Sequence, residues 1–178
     1  MKTLSLLALP VATALALLSG CSSPTQAIGM QTEIMPLGRS NPQTVAVRTN
    51  GGKATDPMWA SQIDDQALAS AIQESILKNR LFSAVVGIGE ADYVLNATLF
   101  KLDQPMAGFN MEVGIEIVWS LTPKGGAAPV WEKSIHTRAS KGVGDAFAAV
   151  KRLRITTEAA AKENIQLALS EIAKLALK

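Results

Sequence analysis

The segment Met111 to Thr122 constrains this fold more than any other. Met111, Val113, Ile115, Ile117, Trp119 and Leu121 share one parity, while Glu112, Gly114, Glu116, Ser120 and Thr122 share the other with Val118 as its one large apolar member. Successive side chains of a strand point to opposite faces, so this pattern predicts a half-buried strand with one face on a core and one in water. Such a strand needs neighbours. Tyr93, Leu95, Ala97 and Leu99 alternate against Asp92, Asn96 and Thr98, and Val130 to Arg138 forms another strand across the hairpin Lys124-Gly125-Gly126-Ala127-Ala128-Pro129. Earlier, Val45 and Val47 alternate with Ala46 and Arg48 before the turn Asn50-Gly51-Gly52. A sheet that is apolar on one side must be covered on that side.

Two helical segments supply the cover. In the first, Ser61 is read as the N-cap with Asp64 in the first turn, Ile63, Ala67, Leu68, Ala71, Ile72 and Ile76 form the apolar stripe, and Asn79 and Arg80 close it. Leu81 to Gly89 reads as an apolar connector. From Asp145 to Leu177 there is no Gly or Pro, and Phe147, Val150, Thr157, Ala161, Ile165, Ala168, Ile172 and Leu175 make a second stripe. A helix of that length would span about 50 Å, so a break is expected near Arg154 to Thr157. Met30 to Pro36 reads as a short edge strand. The predicted fold class is α+β: a two-layer sandwich with a four-stranded, mainly antiparallel sheet, two helices on one face, and the order β-α-β-β-β-α over a single domain at 44–178.

The N-terminus carries an address. Lys2 precedes the apolar stretch Leu4 to Leu18, which is broken by Ser5, Pro10 and Thr13 and is short for a membrane span of about 20 residues. It ends in Leu18-Ser19-Gly20-Cys21, which resembles the lipobox of bacterial lipoproteins: an apolar residue, two small ones, and a cysteine whose sulfur takes a diacylglyceryl group. The resemblance implies a signal peptide at 1–20, cleavage between Gly20 and Cys21, and a lipidated N-terminus and flexible tether at 21–43. It also implies membrane lipid as a partner through acylated Cys21. Several acyl chains anchor durably where one does not. Ser22 is not Asp, which by the same resemblance implies the outer membrane with the body facing the periplasm.

Elsewhere the residues offer little chemistry. With 17 Lys and Arg against 15 Asp and Glu, nothing calls for a nucleic acid partner. One Cys and one His leave no zinc site, and no Gly-x-Ser-x-Gly elbow occurs. His136 lies on the polar parity of its strand. Glu112 and Glu116 would stand about 13 Å apart along theirs, too far for a glycosidase pair. Gly87-Ile88-Gly89 and Gly142-Val143-Gly144 lack the remaining residues of nucleotide-binding loops. Lys151, Arg152 and Arg154, near Lys141 and Arg138, read as a solvated basic face. Met106 and Phe109, in the Pro- and Gly-containing loop Asp103 to Asn110, are the candidate partner contacts, the alternative being that the loop folds back on the body. No catalytic residue, cofactor or metal ligand is expected, and the chain reads as a non-enzyme.

A family likeness sits on particular residues: the lipobox at Cys21, Trp59 before the first helix, Leu81-Phe82 followed by Val85, Ala91-Asp92-Tyr93-Val94-Leu95, and Val130-Trp131 before a long Ala-rich helix. These are similar to the auxiliary lipoproteins of ABC-type transporters and to the LPS-assembly lipoprotein LptE family. The resemblance implies a lipid-anchored periplasmic accessory protein of an envelope transport or assembly system, binding an envelope protein or lipid without catalysis. The alternatives are an envelope enzyme acting on a lipid or glycan, a peptidoglycan-synthase activator, or a secretion-channel subunit.

Overall fold

The computed structural model describes residues 22–33, 40–56, 60–126 and 128–177; the signal segment through Cys21, and Trp59, lie outside them. Its elements are α1 (Ala27–Met30), β1 (Asn41–Asn50), α2 (Asp65–Asn79), β2 (Phe82–Val85), β3 (Tyr93–Asp103), β4 (Met111–Pro123), β5 (Trp131–Lys141) and α3 (Ala149–Ile172). The sheet has five strands in the order β2-β1-β3-β4-β5. β1 runs parallel to both β2 and β3, and β3, β4 and β5 form an antiparallel meander.

This corrects the expectation of four mainly antiparallel strands. β2 lies in the stretch read as a connector, because four residues are too few to show alternation. Its first residue, Phe82, and the preceding Leu81 are buried, and its backbone pairs with the edge of β1. The segment Met30 to Pro36 gives no strand where it is described: Ala27–Met30 is a helical turn, and 34–39 lie outside the described residues.

The alternation itself holds. Met111, Val113, Ile115, Ile117, Trp119 and Leu121 are all buried on the inner face, opposite Tyr93, Leu95, Ala97 and Leu99 of β3 and Ile135 of β5. Leu68, Ile72 and Ile76 of α2 and Ile165, Leu169 and Ile172 of α3 join them in one continuous core. Beyond Leu99 the register of β3 slips at a bulge, which leaves both Phe100 and Lys101 outward and turns Leu102 toward the core. Gly51 makes room there: its φ is 83°, and a Cβ would lie 2.3 Å from the carbonyl oxygen of Leu99.

Helix ends follow local chemistry. The N-cap of α2 is Asp64 rather than Ser61, since its carboxylate accepts from the amide of Ala67 at 2.8 Å. Arg80 closes the helix in the left-handed conformation, donating its amide to the carbonyls of Ile76 and Leu77. α3 begins at Ala149, later than Asp145, and runs unbroken through the expected break. There Thr156 and Thr157 donate to the carbonyls of Arg152 and Leu153 at 2.7 and 2.9 Å, so both hydroxyls stay buried without opening the helix.

Residues 22–33, expected as part of a tether, are docked. The Ser61 hydroxyl donates to the Ser23 carbonyl at 2.6 Å, and Thr25 donates to the carbonyl of Gln62. Gln26 donates its amide to Glu158 of α3, Met30 is fully buried, and Thr32 donates to Ser75 while accepting from Asn79. The segment therefore starts beside the N-terminus of α2, passes between α2 and α3, and leaves near the C-terminus of α2 toward β1. Gly29 permits the passage, because a Cβ would lie 2.3 Å from the Glu158 carboxylate.

Candidate functional site

At the end of the molecule where β3 and β5 finish and α2 and α3 begin, two loops stand side by side. One joins β3 to β4 and carries Met106 and Phe109; the other joins β5 to α3 and carries Phe147. Arg152, in the first turn of α3 and 4% exposed, holds both. Its Nη1 donates to the carbonyls of Ala146 at 2.6 Å and Phe147 at 3.0 Å, and its Nη2 donates to the carbonyl of Gly108 at 3.0 Å. A buried guanidinium needs such partners, and charge-assisted bonds of this kind are the stronger sort. The second loop is also tied at its base. Asp145 accepts from the amide of Gly142 and from Lys141, contacts that hold its carboxyl below the usual range, the amide chiefly.

These ties fix backbone but leave three large apolar side chains in water. Met106 is 99% exposed, Phe109 83% and Phe147 92%. Between the β3–β4 loop and the N-terminal end of α3 lies an apolar groove of about 360 Å³ whose walls include Ala60, Pro105, Met111, Val150 and Leu153.

The docked N-terminal segment starts at the base of this apex. Gln104, just after β3, donates to the carbonyl of Ser61 at 2.7 Å and to the Thr157 hydroxyl at 2.9 Å, and Ser61 in turn holds Ser23. At the next position of α3, Glu158 accepts from Gln26 at 2.9 Å with Arg154 Nε 3.7 Å away. Burial raises the pKa of this carboxyl above its ordinary value, against the opposing pull of the Gln26 amide and Arg154.

The apex gathers Met106 and Phe109 as the sequence suggested and adds two residues read differently. Phe147 was placed in the apolar stripe of the last helix; α3 starts two residues after it, so the ring points away from the core. Arg152 was placed on a solvated basic face, yet it is internal. That basic face does not form: Arg154 is turned toward Glu158, Lys141 pairs with Asp145, Arg138 with Glu112, and Lys151 is left exposed. The signal for Arg152 was its position, since the buried pairs Thr156 and Thr157, Ala160 and Ala161, and Ile165 with Asn164 repeat at four-residue steps from Arg152 and Leu153.

Other chemistry-bearing residues stand apart from the apex. On the open sheet face Glu116 accepts from Ser134 at 2.7 Å and lies 3.7 Å from His136 Nδ1. Both side chains address the carboxylate, so the Ser134 hydroxyl gives its proton to Glu116 and not to the imidazole of His136, unlike a Ser–His pair. Asp92 accepts from both the amide and the hydroxyl of Thr44 at 2.8 Å, which lowers its pKa, the amide chiefly. It pins the start of β3 to β1, a structural task. Among the described residues no group of three His, Cys, Asp or Glu could hold a metal ion, and no described helix is long and apolar enough to cross a membrane. Gly20 and Cys21 lie outside the described residues.

No family model matches the chain, and no curated protein matches it. Solved structures do. A DUF330-family protein from Xanthomonas campestris is 14% identical with a TM-score of 0.51, over 78% of this chain and 95% of that one. The minor lipoprotein from Acinetobacter baumannii is 8% identical with a TM-score of 0.52, over 76% and 93%. The PelC dodecamer from Paraburkholderia phytofirmans is 16% identical with a TM-score of 0.51, over 74% and 89%. At these identities the likeness is one of fold: the chain shares an α+β architecture that is found in a small bacterial lipoprotein.

Proposed function

We propose that this chain is a lipid-anchored accessory protein of a bacterial envelope transport or assembly system, held at the outer membrane through Cys21 and facing the periplasm. It works by binding protein or lipid, without catalysis. The observation that carries this reading is the apex: three exposed apolar side chains on loops held by a buried arginine, at the point where the segment following Cys21 docks. Exposed apolar side chains clustered on tied loops mark contact surfaces. The lipobox and a fold shared with the minor lipoprotein of Acinetobacter baumannii support the envelope placement. The sequence likeness to the ABC-type auxiliary and LptE families supports a transport or assembly system.

The test is acylation followed by fractionation. Cys21→Ala should abolish incorporation of radiolabelled fatty acid and remove the protein from the outer-membrane fraction. Incorporation that persists in the Ala variant would defeat the reading. His136→Ala tests the absence of catalysis: it should complement a deletion strain fully, and complete loss at normal protein level would favour an envelope enzyme instead.

A further inference from the structure

We infer that the apex is a second membrane contact, in which Met106, Phe109 and Phe147 enter the acyl-chain boundary of the bilayer beside the lipid anchor. The inference rests on acylation of Cys21 as proposed above and goes beyond it, because it gives the body one fixed orientation on the membrane.

Chain length carries the argument. Ser23 is held by Ser61, and Ser61 is held by Gln104, two residues before Met106. Cys21 is two residues before Ser23, and consecutive Cα atoms lie about 3.8 Å apart, so the anchor leaves the body within about 8 Å of Ser23. That reach is too short to carry the lipid to the opposite end, where Glu90 and Lys124 lie. The bilayer must therefore meet the molecule at the end that holds the three apolar tips. A flexible tether would have imposed no such constraint; the docked segment does.

The chemistry of the tips fits a lipid surface. Large apolar side chains at a convex end gain by entering the acyl boundary, as the apolar face of an interfacial helix does. The charges near them are largely paired: Lys141 with Asp145 at 3.2 Å, Arg138 with Glu112 at 3.2 Å, and Lys101 with Asp103 at 2.8 Å. Neutral lipid is then sufficient, and anionic headgroups add little. Arg152 contributes by holding both loops before contact, so that little ordering is needed on insertion.

The experiment uses the full-length, lipidated protein. Phe109→Cys, Phe147→Cys and, at the far end, Glu90→Cys each introduce one free thiol, because the sulfur of Cys21 is held in its thioether to the diacylglyceryl group. Each is labelled with an environment-sensitive fluorophore and reconstituted into neutral phosphatidylcholine vesicles. The labels at 109 and 147 should brighten several-fold, be quenched by nitroxide carried on the acyl chains, and ignore added salt, while the label at 90 stays aqueous. Mass measurement of the same samples separates the two readings. An unacylated mass removes the anchor and the proposal with it, whereas an acylated protein whose tip labels stay aqueous overturns the membrane contact alone. Tip labels that respond only in native membranes, and not in protein-free vesicles, assign the apex to a protein partner and overturn the proposal. A response that requires anionic lipid or vanishes in salt does so as well.

Discussion

The middle of α3 and its N-terminal end invert each other. At the middle a polar side chain lies at the centre of the core: Asn164 is fully buried, accepts from the Trp119 indole at 2.9 Å, and donates to the Ile135 carbonyl at 2.8 Å and the Thr137 hydroxyl at 3.3 Å. Thr137 passes the chain on to the carbonyl of Ala160 at 2.8 Å. At the apex, Phe109 and Phe147 stand in water while the arginine that holds their loops is inside. Around Asn164 the buried polar groups are accounted for by their partners, whereas the Nε of Arg152 is buried without one. The exposed rings have no such account within the fold. That contrast separates a structural exception from a functional one.

The largest expected effect is at the middle. Asn164→Leu fits the volume but leaves the Trp119 N–H, the Ile135 carbonyl and one interaction of Thr137 without a partner in a dry site. At about 1–3 kcal/mol for each orphaned group, partly offset by the apolar gain, the loss should be about 3 kcal/mol in denaturant unfolding. Trp119→Phe in the same background should cost less than it does alone, because the indole donor is already unpaired. Additive losses would show that the network is not one unit.

Arg152→Met comes next, at about 2 kcal/mol, because three carbonyls lose a charged donor but can regain water at the rim. Its signature is local. Amide exchange should accelerate in 104–110 and 142–148 while the amides of β4 remain protected. Uniform acceleration would mean that Arg152 supports the whole fold, and the two regions would no longer contrast.

Between the two regions lies Glu158, whose folded-state pKa is raised by burial. The folded protein therefore holds this proton more tightly than the unfolded chain. The associated stability is present below the ordinary carboxylate pKa and is lost as pH rises through the raised value. Glu158→Gln keeps an acceptor for the Gln26 amide and removes the buried charge. The difference between variant and parent should shift in favour of the variant as pH rises through the raised pKa, by less than about 1 kcal/mol. Asp92 and Asp145, with lowered pKa values, contribute the opposite slope and are common to both proteins. A difference that favours the parent above that pH would mean that the Arg154 pairing outweighs desolvation.

Much of this was legible in the sequence, for reasons that can be named. The parity of Met111 to Leu121 survives because one face is packed and the other wet, whereas the outward position of Met106 and Phe109 was open, because a Pro- and Gly-containing loop can stand out or fold back. β2 was hidden because a four-residue parallel edge strand has no period to read. The docking of residues 22–33 was hidden because, apart from the buried Met30, it uses backbone amides and small hydroxyls, which look the same in a tether. Phe147 was misread because it lies on the right spacing for a helix that begins two residues too late to include it. Arg152 was misread because charge alone does not reveal which arginine is internal.

The smallest expected effect bears most directly on the contrast. If Phe109 and Phe147 serve no purpose within the fold, replacing both with Ser should change unfolding free energy by no more than about 0.5 kcal/mol, the usual range for surface positions. Burial predicts this, because the two rings are 83% and 92% exposed and the ties that hold their loops run through backbone carbonyls, which Ser retains. Ile115→Asp, one strand inward, should by comparison cost several kcal/mol by placing an unpaired charge on a fully buried site. A double Ser variant that melted well below the parent would show that the rings fold back on the body in solution and that the apex belongs with the core. A variant as stable as its parent, yet defective in the envelope, would separate function from folding at these two positions.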